Sequence, residues 1–202
     1  MDRAELKRLA REQLGGKIFG NVWLYAVVVM LIYAVLLGIS NWSTWLGAAV
    51  SLIVLGPVAC SIAKMFLKQS EDHQVMQLKD LAFGFQEDFS GNFLLNLMKT
   101  IFIALWSLLL VVPGIIKAIS WSMTYYIKVE NPDYGWKQCM DASAALTNGH
   151  KGEIFMLELS FIGWYILGTL CLGIGDLWVR AYNEAANAQC YQWLKAQQAA
   201  QF

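Results

Sequence analysis

Between Val22 and Ile39 the chain runs for about eighteen residues without a charge. At about 1.5 Å per helical residue that approaches the roughly 30 Å hydrocarbon core of a bilayer. A second uncharged run, Trp45 to Ala63, follows after only the polar link Ser40-Asn41-Trp42-Ser43-Thr44, a length that suits a reversal between antiparallel helices. Two such runs so close together predict a transmembrane hairpin. Composition agrees, because 57% hydrophobic and 15% charged residues are too apolar a mixture for a soluble domain of 202 residues. The 15 Lys+Arg balance the 15 Asp+Glu, so no concentrated basic surface points to nucleic acid.

Where the charges sit predicts the rest of the topology. The hairpin gives spans over 18–40 and 44–67, the second closed by Lys64 and Lys68. Residues 69–91 read as a polar segment with a short interfacial helix around Leu78 to Phe85, whose Leu81, Phe83 and Phe85 would touch lipid. From Asn92 to Ile127 the chain is apolar for about 36 residues, too long for one upright crossing, and Pro113-Gly114 interrupts it. A reversal there gives spans over 93–112 and 114–128. It puts Lys128, Lys137 and Lys151 on the same side as Arg3, Lys7, Arg8, Arg11, Lys17, Lys64, Lys68 and Lys79. One bent helix would put them opposite, so the excess of basic residues expected in cytoplasmic segments favours the reversal. A loop helix from about Tyr134 to Leu146 is expected to stop at Asn148-Gly149. Spans over 152–172 and 174–194 then meet at the Gly173-Ile174-Gly175 corner.

The predicted fold class is therefore all-α, a polytopic transmembrane helical bundle of about six spans forming a single membrane domain over 1–202. Both termini are expected in the cytoplasm of a multi-pass cell-membrane protein. No cleavable signal pattern opens the chain. Residues 1–16 read instead as an amphipathic helix, with Leu6, Leu9, Ala10 and Leu14 on one side and Arg3, Lys7 and Arg11 on the other. Gly15-Gly16 ends it, and a helix of this kind suits an anchor lying on the membrane surface.

Motifs that carry chemistry are scarce. Cys60, Cys139, Cys171 and Cys190 form no CxxC pair, and His73 and His150 are isolated, so neither a metal nor any other cofactor is expected. Gly173-Ile174-Gly175 lacks the third glycine and the strand of a dinucleotide loop, and no GxSxG, HExxH or phosphate-loop pattern occurs. Small residues recur at helical spacing at Ala181, Ala185 and Ala188 and, roughly, at Gly163 and Gly168, as faces that let membrane helices approach closely. Trp23, Trp42, Trp45, Tyr125, Tyr126, Trp136, Trp178 and Trp193 fall near expected span ends, as an interfacial belt does.

Ionisable groups inside the spans are the feature that packing alone does not explain, since a charge at mid-bilayer costs about 2.5–3.5 kcal/mol even on the mildest scale. Lys99, Lys117, Glu158, Arg180 and Glu184 are the candidate binding residues, and none is a candidate for catalysis. Asp176, Arg180 and Glu184 are four apart on one helix face, where the arginine can pair with an acid one turn away. Matched depth pairs Lys99 with Glu158 and Lys117 with Glu184. These pairs either fix helix order or line a polar cavity.

Asp80-Leu-Ala-Phe-Gly-Phe, Phe102-Ile-Ala-Leu-Trp-Ser-Leu-Leu-Leu-Val-Val-Pro-Gly-Ile-Ile-Lys117-Ala, Asn131-Pro132, Leu157-Glu-Leu-Ser-Phe-Ile-Gly-Trp164 and Gly173-Ile-Gly-x-Leu-Trp178 together give a pattern spanning about residues 1–194. In it the chain resembles the bacterial membrane family catalogued as domain of unknown function 975. The resemblance implies a multi-helix membrane protein and supplies no catalytic residue. The last helix departs from the family pattern, which carries a Pro-Tyr pair and a final Phe-Tyr pair where Arg180-Ala181-Tyr182 and Cys190-Tyr191 stand here.

The expected role is that of a non-enzymatic membrane protein whose partners are the bilayer itself and a lipid, hydrophobic peptide or protein accommodated by its helical faces. Its alternatives are a small transporter or channel subunit with a midplane polar site, and an intramembrane enzyme using Glu158 or Glu184 as base. The enzyme lacks a nucleophile, a metal cluster or a phosphate loop. Ligand identity and oligomeric state are not legible in one sequence.

Overall fold

The computed structural model describes residues 2–16, 20–40, 44–72, 76–170 and 173–199, and among them every regular element is helical. In chain order these are α1 (Arg3–Gln13), α2 (Asn21–Ser40), α3 (Thr44–Asp72), a 3-10 turn (Leu78–Ala82), α4 (Phe83–Gln86) and α5 (Phe89–Leu109). There follow α6 (Val111–Ser120), α7 (Thr124–Glu130), α8 (Trp136–Leu146), α9 (Lys151–Leu170) and α10 (Ile174–Ala199). Two helices, over Phe89–Leu108 and Lys151–Leu170, are long and apolar enough to cross a membrane, and Asn21–Leu36 is a shorter apolar stretch. Lys17, Asn41 and Trp42 of the polar link, His73 and Cys171 lie outside the described residues.

α3 and α10 form the centre. α3 packs on α2, α4, α5, α7 and α10, and α10 packs on α1, α2, α3 and α9. The sequence makes this close approach cheap, because Ala181, Ala185 and Ala188 of α10 are fully buried and small side chains bring helix axes together. Gly168 on α9 does the same at the other end, where an added Cβ would lie 3.0 Å from the Gly175 backbone of α10. Gly163 differs from the small-face expectation: nothing lies within 4 Å of where its Cβ would be.

The chain does reverse after α5, but not at Pro113-Gly114. Leu110 alone breaks the helix, with extended backbone at φ −161° and ψ 138°. Pro113 then sits in the first turn of α6, where a missing N–H leaves no intrahelical bond unmade, so proline starts that helix and does not break one. Gly114 permits the hairpin to close, since a Cβ there would meet Ser107 Cα at 2.9 Å. The returning arm is itself broken, because α6 ends at Ser120 and α7 starts only at Thr124. Its freed Ser120 carbonyl accepts from Ser143 Oγ of α8 at 2.8 Å and from Thr147 Oγ1 at 3.3 Å.

Two segments expected to lie against lipid are docked on protein instead. In α1, capped by the Asp2 carboxylate, Leu6, Ala10 and Leu14 are buried and the helix packs on α10. Polar bonds fix it there: Gln13 Nε2 donates to the Phe66 carbonyl at 2.8 Å, and Gln69 Nε2 donates to the Gln13 carbonyl at 3.0 Å. The 78–86 segment folds onto α3, where the Gly84 N–H donates to Ser61 Oγ at 2.9 Å and Asn92 Nδ2 donates to the Gly84 carbonyl at 2.9 Å. Of its apolar side chains, Phe85 is exposed and stacks on Phe89, Phe83 lies under Lys64 Nζ, and Leu81 packs against the core.

Candidate functional site

A cavity of about 380 Å³ lies where α2, α3, α5, α7, α9 and α10 converge. Its lining mixes charge with aromatic hydroxyls: Lys99 of α5, Arg180 and Glu184 of α10, Tyr33, Tyr125, Tyr126 and Tyr165, with Asn187 and Ser122. Met30, Ala59, Ile62 and Ala63 complete it on the α2 and α3 side. The one-turn spacing of Arg180 and Glu184 puts both on one face of α10, and the α6–α7 break turns Tyr125 and Tyr126 toward the same space.

Lys99, Glu184 and Glu158 each have an oriented neighbour. Lys99 Nζ lies 4.4 Å from the centroid of the Tyr125 ring, and the Tyr125 hydroxyl donates to Asn96 Oδ1 at 2.8 Å. Tyr126 donates to Glu184 Oε2 at 3.4 Å, and its ring stacks on Tyr191 with centroids 5.3 Å apart. Tyr191 in turn donates to Glu130 Oε2 at 2.7 Å, which Lys195 also meets at 2.6 Å on the opposite oxygen. Asn183 Nδ2 ties Glu158 Oε2, at 3.1 Å, to the Tyr165 hydroxyl, at 3.4 Å.

Of the five sequence candidates the fold brings three together. Lys99, Arg180 and Glu184 share the cavity, while Glu158 stands behind it, linked through Asn183. Lys117 is elsewhere: its Nζ lies 5.1 Å and 5.3 Å from the ring centroids of Trp106 and Trp121. Among the described residues neither expected ion pair, Lys99 with Glu158 or Lys117 with Glu184, is formed. Nor does Arg180 pair along its own helix, and Asp176 Oδ2 instead accepts from Thr169 Oγ1 at 3.3 Å. Position along each helix was readable from the sequence, but rotation about each helix axis was not.

Of the cavity tyrosines, Tyr125 and Tyr126 were read only as belt residues, and Tyr33 and Tyr165 were not singled out. Tyr125 and Tyr126 follow an apolar run directly, and neighbours about 100° apart on a helix can share one face, so spacing alone did not separate belt from cavity. Among the described residues no cluster of three His, Cys, Asp or Glu side chains is placed to hold a metal. Cys60 and Cys139 are free and buried, Cys190 is buried, and His150 bonds Glu153 at 2.8 Å with its ring edge-on to Trp193. The arrangement can therefore bind a ligand with both polar and apolar parts, through opposite charges, hydroxyls and ring faces.

No curated protein matches the chain. No solved structure matches it either. A family model matches residues 1–121 and 108–198, nearly the whole length, and the chain belongs to that family, described as Protein of unknown function (DUF975).

Proposed function

We propose that this chain is a six-span integral membrane protein with both termini in the cytoplasm, and that it binds a membrane component, without catalysis, in the cavity around Lys99, Arg180 and Glu184. The single observation that carries the reading is that cavity, which gathers two cations, one carboxylate and four tyrosines inside a helical bundle. The outward helix faces are apolar, with Leu31 and Val35 of α2, Leu105 and Leu108 of α5, Val112 of α6 and Ile166 and Leu170 of α9 all exposed. Contiguous apolar surface on several helices suits lipid contact, and enclosed charges in such a bundle mark a site.

Native mass spectrometry of the full chain released from mild detergent tests it. A lipid- or peptide-sized adduct is expected on the wild-type chain and is expected to be lost in Lys99→Met and in Glu184→Leu. No adduct, or an adduct indifferent to both variants, rejects the reading. A second reading, a small transporter or channel subunit, is favoured by the helix break at 121–123, because interrupted membrane helices commonly line transport sites. Ion flux across liposomes that is lost in the same variants would favour transport over binding.

A further inference from the structure

Lys99 and Arg180 line the central cavity with their polar ends uncommitted. Among the described residues neither takes part in an ion pair or donates a hydrogen bond, and the Lys99 ammonium meets only a ring face, that of Tyr125 at 4.4 Å. Glu184 is open in the opposite sense. Tyr126 donates to its Oε2 at 3.4 Å, and among the described residues Oε1 has no donor. Charges that share one cavity inside a bundle ordinarily pair, because a charge left without a partner there is costly. Here the fold holds them apart.

With Glu158 behind the wall, tied by Asn183, the region carries two cations and two carboxylates and is balanced as a whole. A ligand of net charge would upset that balance in a low-dielectric interior, whereas a neutral ligand with separated charges completes it. The cations ask for an oxyanion, which suits the donor fork of a guanidinium. The open Glu184 oxygen asks for a donor, and the surrounding tyrosine faces favour an ammonium. Depth in the bundle is compatible with such a ligand, since the break at 121–123 brings Ser122 to the cavity wall and interrupted helices are where polar ligands are held within membranes. We propose that the cavity binds a small zwitterion, its oxyanion on Lys99 and Arg180 and its ammonium on Glu184 among the tyrosine rings. The proposal rests on the central cavity as a binding site and names what that site recognises. A zwitterion of this kind comes either as the headgroup of phosphatidylethanolamine or as a free solute, and the second source would fit the transport reading.

The test has two arms on the full chain. Native mass spectrometry in micelles of equimolar phosphatidylethanolamine and phosphatidylglycerol is expected, for a headgroup source, to show about tenfold retention of phosphatidylethanolamine, the equivalent of one charge-assisted contact. Equilibrium dialysis in lipid-free detergent is expected, for a solute source, to show O-phosphoethanolamine bound about tenfold over ethanolamine and over inorganic phosphate. A preference in either arm supports the proposal and identifies the source. Even ratios in both arms, or one half of the zwitterion bound as well as the whole, overturn it. The preference must also follow the charges. Glu184→Gln, which keeps an acceptor for Tyr126, should turn it toward phosphatidylglycerol or phosphate, and Arg180→Gln, which breaks no bond among the described residues, should bring it near one. Lys117→Met, whose ammonium lies against Trp106 and Trp121, should leave it unchanged. A preference that survives both Glu184→Gln and Arg180→Gln overturns the proposal, and Arg180→Gln decides alone if Glu184→Gln does not fold. Bound ligand that is lost in Lys99→Met and Glu184→Leu but does not distinguish the probes refutes only the zwitterion, whereas no binding in either arm refutes the cavity as a binding site.

Discussion

Lys128 on α7 meets Asp88, the cap of α5, at 2.7 Å, and its ammonium also donates to the carbonyls of Pro132 at 2.6 Å and Tyr134 at 2.9 Å. Lys128 is 4% exposed, so three acceptors from two separate segments depend on one buried charge. Lys128→Met leaves those carbonyls without their donor and is expected to cost about 3–5 kcal/mol, read as thermal unfolding in detergent.

The same pair predicts an acid sensitivity. The Lys128 hydrogen bond, aided by the Gly91 N–H, holds the Asp88 carboxyl below its ordinary value. A depressed folded-state value adds stability that is complete above the unfolded value, about pH 4, and is lost as pH falls through the folded one. Melting temperature should therefore fall from about pH 4 downward, and Asp88→Asn should remove that part of the slope. An unchanged slope in Asp88→Asn would assign the acid sensitivity to other carboxylates.

Two glycines that look alike in sequence should behave oppositely. At Gly84 an added Cβ meets the Pro57 backbone, including its carbonyl carbon at 2.7 Å, so Gly84→Ala must push the 78–86 segment off α3. A loss of about 1–3 kcal/mol is expected. Gly163 has open space, and Gly163→Ala should be neutral or gain up to about 1 kcal/mol from helix propensity. Unfolding midpoints of the two variants, measured side by side, check both signs.

Lys117 lies against Trp106 and Trp121 while Glu184 lines the central cavity, so Lys117→Met and Glu184→Leu should add. The Lys117 contact is worth about 0.5–2 kcal/mol. Coupling between the two variants should stay within about 0.5 kcal/mol. Coupling well above 1 kcal/mol in a double-variant cycle would show that the two charges do meet.

The proposed six-span topology predicts labelling from opposite sides. Asn148→Cys, in the turn after α8, should react with membrane-impermeant thiol reagents only from the cytoplasmic face, and Leu110→Cys, at the α5–α6 reversal, only from outside. Reaction of both from one side would change the span count.

Helix positions were legible because uninterrupted apolar runs leave the backbone only one way to satisfy its polar groups in lipid. The Gly15-Gly16 stop was equally readable, both glycines having positive φ, at 87° and 71°, where other residues are strained. The reversal was foreseen from charge parity but displaced by three residues, because proline breaks a helix only beyond its first turn and Leu110 carries no signal of its own. Burial of α1 was missed for a related reason: an amphipathic face reads the same whether it meets lipid or α10. The site suffered most. Residue spacing gives depth along a helix, but the neighbour met at that depth depends on packing angles and on breaks such as 121–123, which no local pattern specifies.

The Ser120 carbonyl, bound by Ser143 and Thr147, ties the dynamics of two remote segments together. Those hydroxyls do for the interrupted helix what solvent cannot easily do at a fully buried position, since Ser143 and Thr147 are both 0% exposed. If α8 lifts away, the Ser120 carbonyl loses both donors at once, and a buried acceptor left unpaired is costly. Amide exchange should then report α8 and the 120–124 segment as one opening unit with a shared protection factor, even though α7 and the loop after it separate them in the chain. Ser122 within that segment and Tyr125 just after it stand at the cavity wall, so the same opening would be felt there as a change in the shape of the space around Lys99.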